Sequence, residues 1–556
     1  MLLVSLALSF AYLGRGLWTA PTASWRGNPG DPEQFMWFLR WIPLAIGHGH
    51  NPFLTDHALY PDGANMMWNT SVILPAVLIS PVTVTAGPIA AYQVLMVLAP
   101  VGNALAALAL FRRWTCSYVS AGVGALVFAF CPLVTIHSSG HLHLVLLGFL
   151  PLIFLFLDEI VIRQRRTPWI SGTLLGFLVS CQLLTSEELL ATAALMAAAT
   201  LVVLGLLYRG EIRQRWPYVR RAAGPAVGIA AALSAYPLWL QLRGPRRAPG
   251  AHSASVYVTD LANFVQPVLT AFGTDSGHNQ DLPYTGNASE WTGYLGLPLI
   301  VVVVVVCLWR WRRAPVPACA VLLVVFAVAS LGPFLHVNGH DTRIPMPWAP
   351  FTRVPLMDNL LPSRLSVAVS FFAAILLAVF VDELLVVRRR TVQVVGAALV
   401  MLVALSLVPA GTHITRFRSP AFFTGDAVRE VIPAGSVTLV VPYVYGPQSE
   451  QAMLWQAQAD LRYRMVDGWL IVPGAHFGTN HIIARTLHTI GATPVPVTAR
   501  LRSQFIGELR TRQVDNVIVA PMAGRRNAVT FFSTLFGHGP DVTAGGVDVW
   551  RVPPTS

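Results

Sequence analysis

The strongest limit on what this chain can fold into is a succession of apolar blocks, most of them roughly 17–22 residues long. That is the length a helix needs to cross about 30 Å of hydrocarbon. Such blocks lie at 1–14, 90–111, 118–136, 141–158, 168–186, 188–208, 222–242, 293–309, 315–335, 365–387 and 391–411. Hydrophobic residues make up 54% of the chain and charged ones 12%, against about a quarter charged in soluble proteins. A bilayer is the solvent that tolerates this pattern, so the expectation is an α-helical polytopic membrane protein with about 11 transmembrane helices. The first block has no basic run before it and no small-residue cleavage signal after it, and it reads as a retained span.

The formal charge is +12, carried on the cationic side by arginine alone. The arginines cluster in short connections between apolar blocks, where they act as topology determinants facing anionic lipid. Nucleic acid is therefore not an expected partner; membrane lipid is. Five cysteines lie in or beside apolar blocks without metal-ligand spacing, and they read as small buried hydrophobes.

The block 71–88 carries three prolines, and charge bias decides how to read it. If it does not cross and the N-terminus is cytoplasmic, then Arg112, Arg113, the RQRR run at 163–166, the stretch 209–221, the RWRR run at 310–313 and Arg388 to Arg390 all fall inside. If it crosses, all of them fall outside. The sequence thus predicts a juxtamembrane or re-entrant segment at 71–88. The first loop 15–70, the HSSGHLH turn, the TSEE turn, the loops 243–291 and 336–364 and the C-terminal stretch are then extracytoplasmic, in the cell membrane. From 412 onward, strand-like runs (SVTLVVPY, VDNVIVAP, GVDVWRVP) alternate with helix-like ones, which predicts a C-terminal extracytoplasmic α/β domain with a mostly parallel sheet over 412–556. It has no GxGxxG, P-loop or GxSxG.

Polar residues that could carry chemistry gather on the outer side. Asp31 and Glu33 stand in GDPEQF, just past the first span. A carboxylate there suits a general base for an acceptor hydroxyl; Asp31 also fits as the cap of the next helix, with Pro32 at its first position. His137, His141 and His143 could ligate a divalent metal or bond a phosphate or sugar, although histidines that satisfy helix ends are commoner. Glu187 and Glu188 are costly at membrane depth unless they line a wet cavity or meet a cation. Asp260, Asp275, Asp281 and Glu290 lie on a loop long enough to cover a substrate. Arg353 and Arg364 are outer arginines, which charge bias disfavours. Arg364, at the head of a span in LPSRLS, could bind a lipid phosphate bidentately, or snorkel at the interface.

An acidic residue after the first span, a long amphipathic outer loop, many spans and an outer C-terminal domain together resemble the GT-C class of membrane glycosyltransferases. The layout over 1–411 is most similar to the actinobacterial arabinosyl- and mannosyltransferases of envelope assembly, with GDPEQF at the position of the catalytic-acid loop. The stretches YPDGANMMWNTS, SSGHLHL and LPSRL also resemble the YfhO-type bacterial membrane proteins. The resemblance implies inverting transfer of a mannose- or arabinose-type sugar from a polyprenyl-phosphate donor to an extracytoplasmic glycan or glycolipid acceptor. Asp31, with Glu33, would be the catalytic carboxylate. Arg364, His141 and Arg353 would hold the donor phosphate. Glu187, Glu188, His143, Asp260 and Glu290 would contact sugar or acceptor, and Trp455, Trp469 and Trp550 could stack on sugar faces. It implies no certain cofactor and no assigned metal ligand, a divalent metal remaining possible. A transporter or flippase of envelope lipids, or a non-catalytic assembly scaffold, is the rival reading. The absence of an internal repeat and of ionisable residues at mid-span weighs against transport.

Overall fold

The computed structural model describes residues 1–248, 255–268, 270, 282–354, 357, 360–411, 413–444, 450–473 and 481–553; Asp275 and Asp281 lie outside them. The chain divides into two compact units. One comprises Met1–Arg15, Leu95–Tyr236 and Pro249–His413; the other comprises Gly16–Val94, Pro237–Ala248 and Ile414–Ser556.

The first unit is helical because its apolar blocks have no other way to satisfy backbone hydrogen bonds in lipid. Among the described residues, five helices are long and apolar enough to cross a membrane: Ile73–Phe111, Leu142–Arg163, Glu187–Leu207, Arg213–Arg243 and Pro362–Val386. Six shorter apolar helices accompany them, among them Tyr118–Ala129, Pro168–Leu183 and Pro315–Ser330. Ser366–Val386 is the hub, with nearly every side chain buried. Its Phe371 ring lies 5.2–6.0 Å from the rings of Phe154, Phe128 and Phe111. Lipid tails are as apolar as leucine, so close packing rather than hydrophobicity draws such helices together. Gly172 and Gly176, one turn apart, show this. A Cβ on either would stand 2.1 or 2.3 Å from the carbonyl oxygen of Ala222 or Ala226 on the neighbouring helix.

One end of this bundle collects the arginine-bearing connections. Arg113 pairs with Glu159 at 2.8 Å, and Arg313 pairs with Asp382 at 2.8 Å and Glu383 at 2.5 Å. The Asp382 carboxylate also accepts the backbone N–H groups of Cys116 and Ser117. The histidine turn, Glu188 and Arg364 stand at the opposite ends of the same helices, the separation that charge bias requires.

Three local features refine the sequence reading. The basic stretch 209–221 is not a loop but the start of the helix Arg209–Arg243, where Glu211 and Arg215 pair one turn apart at 3.1 Å. Block 71–88 is helical from Ile73, and its junction with the following span breaks at Gly87, whose φ of 85° and ψ of 169° fit no helix. Only a residue without Cβ takes that backbone cheaply, and Pro88 removes the next donor. A hairpin, Phe334–Val337 with His340–Pro345, occupies the loop after Ser330.

The second unit joins the first loop to the C-terminal stretch, so the compact units cut across a boundary drawn at 411/412. Ser24–Arg26 pairs antiparallel with Ile414–Arg416. A five-stranded sheet runs in the order Val542–Ala544, Val547–Arg551, Asn516–Val519, Val437–Val441, Arg464–Met465. Val437–Val441 is parallel to both neighbours, whereas the last two strands of the chain fold back antiparallel. The sheet is mixed rather than mostly parallel, because Gly545 and Gly546 join its last two strands in a tight hairpin that needs no crossover helix. Helices Ile482–Ala492, Ala499–Thr511 and Arg525–Phe536 cover it around Leu439, Val517, Phe505, Phe532 and Trp550. Trp550 and Trp455 are thereby core residues, Trp455 stacked on Phe423 at 5.2 Å, and neither ring face is open to a sugar.

Candidate functional site

In the helical unit, a charged cluster forms at the head of the hub helix. The short turn Pro362–Leu365 sets Arg364 at the start of Ser366–Val386. Its guanidinium is held by two carboxylates that the sequence keeps far apart. Nε and an NH2 group donate to the two oxygens of Glu290 at 2.9 and 2.5 Å, and the remaining NH group donates to Glu188. Glu290 is nearly fully buried, at 3% exposure, on the turn Ala288–Glu290. That turn is anchored by Trp291, which packs with Tyr284, Val268 and Ile136. Burial by itself would raise the Glu290 carboxyl, but the Arg364 charge outweighs it and holds the group well below the usual carboxylate range.

Ile136 opens the histidine turn, so the same apolar contact brings the imidazoles to this cluster. His137 and His141 face each other with their Nδ1 atoms 3.2 Å apart. His143 Nε2 lies 4.0 Å from Glu188. One nitrogen of the His137–His141 pair is a donor and the other an acceptor, or both turn their lone pairs to a cation. His137, His141 and Glu290 each offer a ligand atom, all within 4.8 Å of one another. Two nitrogens that close, each about 2.1 Å from an ion, subtend roughly 100° at it, an angle that tetrahedral coordination accepts.

Of the residues expected at the site, the structure therefore gathers Arg364, His141, His143, Glu188 and Glu290. Glu187 is half-buried in the first turn of Glu187–Leu207 and makes no ion pair among the described residues. Arg353 is exposed and likewise has no ion pair there. Asp260 stands outside this cluster and has a structural task. Its carboxylate accepts the N–H groups of Ala262, Asn338 and Gly339 at 2.8–3.0 Å, and so fixes the 334–345 hairpin.

In the second unit, GDPEQF begins the helix Asp31–Gly47, but Asp31 is not its cap. Gly30 is the N-cap, and Glu33, three residues on, accepts the Gly30 N–H at 2.7 Å. The capping task thus falls to Glu33, whose burial pushes its carboxyl up to about 8, and Asp31 occupies the first helical turn. Sequence reasoning missed a third carboxylate here, Glu450, which is 1% exposed. Burial first, then the Asp31 and Glu33 charges, raise it well above the usual range. Its signal in the sequence is faint: one acid at the start of the helix Gln451–Gln458, whose buried side is mostly apolar.

A family described as "Domain of unknown function (DUF6311)" matches residues 2–358. The chain belongs to the DUF6311 family. A search of the curated proteins finds no match. Among solved structures, the arabinofuranosyltransferase AftD from Mycobacteria superposes on 100% of this chain and 39% of its own, with a TM-score of 0.60 at 13% identity. The DUF6311 chain thus spans about two fifths of the length of that relative. The archaeal oligosaccharyltransferase AglB from Archaeoglobus fulgidus aligns with 93% of this chain and 69% of its own at a TM-score of 0.48 and 13% identity. ArnT from Cupriavidus metallidurans aligns with 99% and 97% at a TM-score of 0.46 and 11% identity. The likeness to AftD shows the fold, a polytopic helical architecture with the layout of spans and outer loop that the sequence led us to expect.

Proposed function

We propose that this DUF6311 protein is a membrane glycosyltransferase that moves a mannose- or arabinose-type sugar from a polyprenyl-phosphate donor to an extracytoplasmic glycan or glycolipid. The observation that carries the reading is a charged cluster, Arg364 with Glu188 and Glu290, at the head of a buried span in a GT-C fold. Charges at membrane depth persist where they do chemistry.

Arg364 receives the donor phosphate. Two hydrogen bonds fix it on the buried Glu290, while a single one ties it to the half-buried Glu188. The Glu188 side is therefore the face that yields to a phosphate, which the guanidinium can grip bidentately. Asp31 removes the acceptor proton. The acceptor oxygen then bonds to the anomeric carbon as the carbon–oxygen bond to phosphate breaks, and the polyprenyl phosphate leaves with the electron pair. Attack opposite the leaving group inverts the centre. His137, His141 and Glu290 are the residues that would hold a divalent cation if transfer requires one. With the basic connections cytoplasmic, the cluster faces the outer leaflet.

Full-length protein in nanodiscs, given radiolabelled polyprenyl-phosphate arabinose or mannose and an envelope glycan, tests the reading. Label should move to the glycan, and Asp31→Asn should stop it. A flippase predicts instead that the donor changes leaflet without losing its sugar.

A further inference from the structure

The packing of Gln451–Gln458 against Asp31–Gly47 has a consequence at their starts. Trp37 Nε1 donates to Gln456 Oε1 at 2.6 Å, and further on Arg40 pairs with Asp460 at 2.7 Å. The contacts advance in the same direction along both segments, so the helices are parallel and their N-termini lie together. Asp31, Glu33 and Glu450 occupy those N-termini, where two sets of unpaired N–H groups and two dipoles favour negative charge. That attraction is too small to ionise three carboxylates at once. An N-terminal dipole is worth at most about 2 kcal/mol, whereas an isolated buried carboxylate costs far more and takes up a proton instead.

The side-chain geometry distributes the roles. One Glu33 oxygen is committed to the Gly30 N–H. Glu450 is more deeply placed than Asp31, and neither of its carboxyl oxygens has a hydrogen-bond partner among the described residues. A buried polar group in that condition calls for an explanation. The charges that act on it are those of Asp31 and Glu33. The buried Tyr92 phenol of Ile73–Phe111 feels the same two carboxylates, and the cation nearest before them along the chain is Arg26, on the strand Ser24–Arg26.

We infer that Glu450 is a positioning residue: a buried, neutral carboxylic acid that shares the paired helix starts with Asp31 and Glu33 and adds no charge beside Asp31. A neutral Glu450 spares Asp31 a negative neighbour. Above the range in which Glu33 and Glu450 lose their protons, the three acids become mutually repulsive, and the site fails on its alkaline side. The use of Asp31 as a base rests on the transfer reading; the neutrality of Glu450 does not.

Glu450→Gln separates the two. A neutral amide of the same shape replaces a neutral acid without loss, and it removes the proton that wild type must hold. A raised carboxyl stabilises the fold fully below its unfolded value and loses that contribution as pH climbs toward the folded value. In full-length protein, Glu450→Gln should therefore melt several degrees higher than wild type at pH 7.5 and equal to it at pH 4. A variant that melts lower at pH 7.5, or does not fold, overturns the inference, and so does a Tm difference that is the same at both pH values. Where transfer is measurable, the alkaline limb of its pH profile should move up by half a unit or more, with the rate at pH 7 changed less than threefold. An unmoved limb removes Glu450 from the mechanism while leaving Asp31 in it.

Discussion

Arg364 stands out in the sequence because charge bias, read from the other clusters, puts it on the outer side, where arginines are disfavoured. Its surroundings were not legible. Glu188 and Glu290 lie 176 and 74 residues away along the chain, and no local pattern links them. The outcome is a guanidinium already occupied by two carboxylates, which makes a lysine a poor substitute. Arg364→Lys keeps the charge but loses the fork, so transfer should fall at least about tenfold while the protein still folds. Glu290→Gln strips a buried arginine of its firmest partner and should cost about 3–5 kcal/mol in stability, read from chemical denaturation. The pH response of the intact pair has the opposite sign to that of Glu33. Because Glu290 is held low, its contribution is complete above the ordinary carboxylate range and is lost only on acidification below it. Glu33, raised to about 8, destabilises progressively from its unfolded value up to that pH. Glu33→Gln should accordingly raise Tm near pH 8 and leave it unchanged near pH 4, less the value of the Gly30 N–H bond.

At the scale of elements, the spans were readable because a bilayer demands length and apolarity together, and few sequences satisfy both by accident. What escaped reading was where a helix stops. The arginine-rich run 209–221 looks like a connection by charge, yet it forms the start of a helix, since arginine, glutamate and glutamine are good helix formers. The strands SVTLVVPY, VDNVIVAP and GVDVWRVP were visible by their β-branched content, whereas the two-residue strand Arg464–Met465 carries no such signal. Two glycine sites test the packing. Gly176→Val places bulk where the Ala226 carbonyl already sits, and should part Pro168–Leu183 from Arg209–Arg243. The expected result is loss of folded protein after detergent extraction. Gly87→Ala meets no neighbour, so its cost is backbone strain alone, about 1–3 kcal/mol. A fall of a few degrees in Tm with activity retained is the expected pattern.

For the whole molecule, the account divides the chain's charge by side. The connections bearing Arg113, Arg163 and Arg313 gather around Asp158, Asp382 and Glu383, and the histidine–carboxylate–arginine cluster stands at the other helix ends. Cys116, an exposed native cysteine bonded through its backbone to Asp382, belongs to the basic side. A membrane-impermeant maleimide should label it in inverted vesicles and spare it in intact cells; the reverse result would turn the topology over. The most direct test of the central claim is single-turnover transfer by purified protein in nanodiscs, comparing wild type, Asp31→Asn and Arg364→Lys with a labelled polyprenyl-phosphate pentose or hexose. The account predicts that wild type releases polyprenyl phosphate and glycosylates the acceptor with inverted configuration. Asp31→Asn should bind the donor without releasing it, and Arg364→Lys should release it at least about tenfold more slowly. Donor left intact by wild type across both sugar classes, or equal turnover by all three proteins, contradicts it.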